Sequence, residues 1–200
     1  LSSTGNLRFQ RAKSHEQPPE HPGPFVSFED ITRNNRYIVF KSPNQEIWIQ
    51  AAGSDERHPL VQGPYFASQP RVSPDSRGLA YTLALPSGPP VFVQPFDRPG
   101  EQVPIGTGIG PSWRDDSREL YYESADGVLM SIGITDGSNR VEPGAPRPLF
   151  AIRTQGLVTG QPHNVEVAAH GQKFLVNSVV AESDNQPLEV TSNWMADLKK

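Results

Sequence analysis

The chain has no cysteine in 200 residues, which excludes a disulfide framework, a thiolate metal site and a cysteine nucleophile. It has no surplus of positive charge either. With 18 basic and 22 acidic residues the formal charge is −4, so no overall field draws it to a phosphate backbone or an anionic bilayer, and nucleic acid is not expected as a main partner. Apolar runs are short, none approaching the roughly 18 residues that span a bilayer, so no direct membrane insertion is expected. The opening LSSTGNLRF lacks the basic and apolar regions of a signal peptide. Because it begins with Leu1 rather than Met, the chain reads as a piece of something longer, whose targeting and anchoring signals, if any, lie upstream. Sustained i, i+3, i+4, i+7 apolar spacing is missing too, so almost no helix is expected.

What is abundant is punctuation: 17 glycines and 21 prolines, about a fifth of the chain, the composition of many short strands joined by tight turns. The strands repeat. Apolar runs open at Arg36 (RYIVF), Arg77 (RGLAY), Arg118 (RELYY) and Gln172 (QKFLV), the first three 41 residues apart and the fourth 54 further on. A fixed period in this range marks a stacked or circular repeat.

Each unit shares a plan of opening strand, polar turn, central strand, turn and third strand, then a variable polar segment such as Pro99 to Gly110 or Asp136 to Pro148. The four series are FVSFEDI, TRNN, RYIVF, EIWIQ; QPRVS, PDS, RGLAYTLAL, PVFVQPF; GPSW, RDDS, RELYYES, GVLMSIGI; and HNVEV, AAHG, QKFLVNSVV, PLEVTSNW. Five residues before each central strand stands an apolar residue, Ile31, Val72, Trp113 or Val167, expected at the same depth between neighbouring sheets. Asp75, Asp116 and His170, followed by Ser76, Ser117 and Gly171, and Asn35 in the first unit, are residues that turns favour for left-handed backbone and side-chain-to-backbone bonds. A sheet of three or four strands cannot bury both faces alone, so the pattern favours an all-β fold of propeller blades over a two-sheet sandwich, which gives no reason for equal intervals.

Reactive constellations are scarce. There is no GxSxG elbow and no glycine-rich phosphate loop before a helix. HEQPPEH (His15 to His21) resembles a metal motif only superficially, since that chemistry needs both histidines one helical turn apart and two prolines intervene. The pairs Asp115 with Asp116 and Glu182 with Asp184 read as solvated turns, with nothing to separate their pKa values. SADG (Ser124 to Gly127) reads as a hairpin turn. Trp48, Trp113, Trp194, Tyr121 and Tyr122 are expected in the core. Arg71, Arg114 and Arg118 could ring one face and bind an anion, but acidic neighbours favour surface pairing. No catalytic, cofactor-binding or metal-ligating residue is assigned, no cofactor is expected, and the binding residues are left unassigned.

Gln69 to Phe96, with SPDSR and VFVQPF, Gly110 to Ile134, and the tail Gly171 to Lys200 with its NW pair resemble the WD40-like repeats of TolB-type β-propellers. The likeness is to propellers at the C-terminal end of bacterial multidomain proteins, including membrane-anchored serine/threonine kinases. Two departures stand out: ITRNNR in the first unit, and Ser76 and Ser117 where glycine is common. The repeats count four blades, at about 25–68, 69–109, 110–160 and 161–200, and the resemblance implies that they form part of a larger propeller of six or more. Residues 1–24 then hold a remnant outer strand (Leu7 to Gln10) and a Pro-rich linker. It also implies a non-catalytic sensor or scaffold that binds a protein, a peptide or a cell-envelope ligand, in a periplasmic or extracytoplasmic setting. The alternatives are a propeller accessory to a prolyl-oligopeptidase-like hydrolase, or a hydrolase built on the channel axis.

Overall fold

The computed structural model describes residues 27–96, 100–136, 141–152, 154 and 164–178. The expectations placed on Leu7 to Gln10, His15, His21, Glu182, Asp184 and the strand ending at Trp194 lie outside the described residues.

Among the described residues, all regular elements are strands apart from one turn of 3-10 helix at Ala169–Gly171. The first unit is an antiparallel sheet in chain order, β1 (Ser27–Ile31), β2 (Tyr37–Lys41), β3 (Ile47–Ala51) and β4 (Arg57–Val61). The second comprises β5 (Ala67–Val72), β6 (Gly78–Leu83), β7 (Pro90–Pro95) and the first half of β8 (Val103–Trp113). The second half of β8 opens the third unit by pairing with β9 (Glu119–Ser124), followed by β10 (Val128–Asp136) and, on its far side, β12 (Arg147–Ala151). The end of β10 runs on to pair with β11 (Val141–Pro143). The fourth contributes β13 (Val165–Ala168) and β14 (Lys173–Val176).

Units two and three are therefore not separate sheets: β8 belongs to both and joins them into one hydrogen-bonded path. The segments read from sequence as variable connections supply β8, β11 and β12 instead. Their strand character comes from pairing rather than propensity. β4 carries Pro59 and β12 carries Pro148, both tolerated on sheet edges, and β8 is interrupted by glycine.

The 41-residue repeat is a repeat of register. Ile31 pairs with Ile38, Val72 with Leu79, Trp113 with Leu120 and Val167 with Phe174, so the four apolar positions occupy one level. Alternation along the central strands then packs each sheet on both neighbours. In β6, Leu79 and Tyr81 meet Val39, Ile47 and Ile49 of the first unit, while Ala80 between them joins Leu120, Tyr122 and Ile132 of the third. Likewise Tyr121 and Leu129 face Val165 and Phe174 of the fourth. Continuous apolar runs such as LYY are thus buried on both faces.

Two glycines let β8 cross from one sheet to the next. A Cβ on Gly106 would come within 2.2 Å of the Tyr122 hydroxyl, and one on Gly108 within 2.1 Å of the Glu123 carbonyl oxygen. The strand lies directly on Tyr122 because nothing projects from it there.

Candidate functional site

In each unit the first strand returns through a short turn into the second, and these turns carry most of the polar side chains singled out by the sequence. Thr32 accepts from the amides of Arg36 (3.2 Å) and Tyr37 (3.0 Å) through its hydroxyl, and Ser73 accepts from Arg77 (3.2 Å) and Gly78 (2.8 Å) in the same way. Asp75 Oδ1 accepts from the Arg77 amide at 3.1 Å, and Asp116 Oδ1 from that of Arg118 at 3.0 Å. Both aspartates shape turns, as residues of this type do when they bond the backbone two positions on. Asn35, Ser76, Ser117 and Gly171 have φ of 56°, 62°, 62° and 79°, the left-handed backbone expected of them.

The turns are tied to one another. The Asp75 amide donates to Ser117 Oγ at 2.9 Å, linking units two and three. Between units three and four, His170 Nδ1 lies 2.6 Å from Asp115 Oδ2. Asp115 and Asp116 thus have different partners: Asp115 lies against His170, while Arg114 forks onto Asp116 with two contacts of 2.8 Å. That fork holds the Asp116 carboxyl below its ordinary range and raises Arg114. Arg114 also reaches the buried Glu119, which binds Ser131, Arg147 (3.1 Å) and the Tyr121 hydroxyl (3.2 Å). Burial, reinforced by the Glu119 carboxylate, pushes the Tyr121 hydroxyl up to about 12. Burial also raises Tyr122 and Tyr81.

Further in, side chains of adjacent units bond backbone groups of the first strands of units two and three. Asp30 Oδ2 accepts from the Val72 amide (2.9 Å), Gln69 Oε1 from the Gly110 amide (2.9 Å), and the Trp113 indole donates to the Arg71 carbonyl (3.0 Å). Arg71 pairs with Glu166, from unit two to unit four. Arg71 and Arg114 are therefore occupied by carboxylates and form no anion-binding ring; Arg118 bonds Asp116 through its backbone. Trp113, Tyr121 and Tyr122 are buried, and Trp48 is half-buried with its indole on Glu46 at 2.9 Å. Ser124 and Gly127 close a hairpin turn at 3.0 Å.

Sequence reading missed the cleft between units two and three. It has a volume of about 370 Å³; Val93, Phe96, Trp113, Ile134 and Val141 form its apolar wall, and Asp75, Ser76, Arg77 and Ser117 stand around it. Val141 comes from β11, whose strand identity no local signal announces. Among the described residues, no three His, Asp or Glu side chains are grouped to hold a metal ion, and no helix is long and apolar enough to cross a membrane.

Four units of like register, packed one on the next, have counterparts among solved structures. TolB from Acinetobacter baumannii superposes with a TM-score of 0.59 over 82% of this chain and 40% of that one, at 15% identity. The β-propeller domain of Myceliophteria thermophila Cps50 (Swd1) gives 0.51 over 72% and 49%, at 10% identity. The fold is that of a β-propeller. A structural genomics protein of unknown function from Bacteroides thetaiotaomicron gives 0.50 over 72% of this chain and 36% of that one, at 9% identity. The chain spans less than half the length of each of these proteins, and at such identities the likeness speaks for the propeller fold alone. No protein-family model matches the chain, and no curated protein does.

Proposed function

We propose that this propeller is a non-catalytic module that binds a protein or peptide, a sensor or scaffold region of a larger bacterial protein such as a serine/threonine kinase. One observation carries the reading. On the turn-bearing rim, Asp75 and Asp116 accept from backbone amides, Arg114 forks onto Asp116 and Asp115 lies against His170, while beside Asp75 an apolar-walled cleft stays open. Charges held this way make a rigid, shaped surface, and an apolar recess edged by polar groups is what interfaces use for anchor side chains. The blades are read as part of a larger propeller at the boundaries given by the repeat, in an extracytoplasmic setting.

The test combines capture with assay. A photo-crosslinking residue at Ser76, on the rim, is expected to trap a discrete protein from a bacterial envelope extract that the same residue at Gly63, on the loop between β4 and β5, does not trap. Turnover of chromogenic ester, amide or phosphate substrates by the purified chain, lost on substituting rim residues, would instead establish an enzyme.

A further inference from the structure

We infer that a proline set at one register position in three outer strands closes the outer wall of the propeller to strand addition. β4 ends the first sheet, the first half of β8 pairs with β7 alone, and β12 pairs with β10 alone. Each therefore presents an outer edge with no strand beside it among the described residues. Such an edge offers a row of amides and carbonyls as a template for another chain. The three strands carry HPLV, VPIG and RPLF. Pro59 stands opposite Trp48, Pro104 opposite Phe92 and Pro148 opposite Met130. These partners are themselves equivalent, because they lie across from Phe40, Tyr81 and Tyr122, each four residues after the arginine that opens its central run.

At all three positions the pairing slips by one residue, which leaves Leu60, Ile105 and Leu149 without a cross-strand partner. Each of these packs into an apolar cluster between units. Packing accounts for the aliphatic residue but not for the proline before it. Pro104 and Pro148 are exposed and Pro59 is half-buried, so the prolines stand on the surface and not in the core. A proline has no N–H to give a ladder and is kept to edges and bulges, and the bulge twists the strand out of the flat edge that an added strand needs. β2, β3, β6, β9 and β10, which have strands on both sides, contain no proline. β11, which extends the edge of the third unit, is only three residues long and ends in Pro143, and a short edge is itself a poor template. Whatever the module binds, that partner is not added as a strand to these edges.

The full 200-residue chain is compared with Pro59→Val, Pro104→Val and Pro148→Val, singly and together, by sedimentation velocity over a dilution series, with far-UV circular dichroism to follow the fold. Valine supplies the missing N–H and is a strong strand former, so the triple variant should associate at a roughly tenfold lower concentration than the parent chain, each single change giving part of the shift. The matching triple change to lysine supplies the same N–H but leaves charge on the edges, and it should sediment as the parent does. So should Pro86→Val, in the turn between β6 and β7 that the Gly88 amide closes onto the Leu85 carbonyl. Because the chain has no cysteine, Thr107→Cys on the first half of β8 should form disulfide-linked pairs more readily in the Pro104→Val background than alone. A triple valine variant that keeps its fold and sediments as the parent does would overturn the edge role. Lysine variants that associate as readily as the valine ones would overturn it too, since the prolines would then only shape the bulge. If the triple variant does not fold, single Pro104→Val and Pro104→Lys, at an exposed position, decide by the same two criteria.

Discussion

Replacing Gly108 by alanine tests whether β8 truly serves two sheets. The added Cβ would lie 2.1 Å from the Glu123 carbonyl oxygen and 2.7 Å from Tyr122 Cδ2. The first of these is backbone and cannot rotate away, so the strand must lift and the Gly108 to Ser124 pairing must give. Overpacking of this kind costs about 3 kcal/mol or more when backbone has to move. In a chain of this length that is a fall in Tm of roughly 6–12 °C. Two further glycines calibrate the result. Gly110 has open space around its Cβ position but φ of +63°, so alanine there costs about 1 kcal/mol from left-handed backbone alone. Gly133 has open space and ordinary φ, so alanine should gain roughly 0.5 kcal/mol by restricting the unfolded chain. Gly106 supplies the rescue control, because its obstruction is the Tyr122 side chain: Gly106→Ala combined with Tyr122→Leu should lose less than the two changes summed, whereas nothing at position 122 rescues Gly108→Ala. The readout is urea unfolding followed by far-UV circular dichroism and tryptophan emission. A Gly108→Ala protein as stable as wild type, or no more affected than Gly110→Ala, refutes the close crossing.

Asp30→Ala deprives the Val72 amide of its acceptor across the first interface and should cost about 2 kcal/mol in urea unfolding, with Asp30→Asn recovering part because it keeps an oxygen there. Trp113→Phe keeps the ring but removes the donor to the Arg71 carbonyl, for a loss of about 1 kcal/mol; no loss would show that the indole contributes by packing alone. The raised Tyr121 hydroxyl gives the alkaline limb a sign: the folded value, about 12, lies above the unfolded value near 10. Its contribution is full below pH 10 and lost as pH rises toward 12, so Tyr121→Phe should flatten the stability profile in that window.

The repeat was legible because it is carried by local chemistry. Asn35, Ser76, Ser117 and Gly171 tolerate left-handed backbone, and Ile31, Val72, Trp113 and Val167 each precede such a turn at fixed distance, so spacing alone placed four equivalent levels. The outer strands were not legible. β4 and β12 contain proline and β8 contains glycine at 106, 108 and 110, residues that lower strand propensity and take strand form only because a neighbour pairs with them. The cleft was hidden for the same reason, since its distinguishing wall residue, Val141, sits on a three-residue strand created by the length of β10. The turn carboxylates were read correctly as turn formers, but the ties between turns were not legible, because His170 beside Asp115 and Ser117 beneath the Asp75 amide come from the next unit along the chain and only packing brings them together.

The shared strand also fixes how the molecule comes apart. Units one and two meet through side chains and isolated hydrogen bonds such as that of Asp30, so the first sheet is able to open while the rest stays closed. Units two and three have β8 in common, and neither can release its half without straining the ladder of the other. Amide hydrogen exchange should therefore report a block spanning β5 to β10 with one opening free energy, and a separate, more easily opened block over β1 to β4. A stack of repeats would in this way behave as unequal cooperative pieces, the larger held together by a strand that two glycines let cross between units.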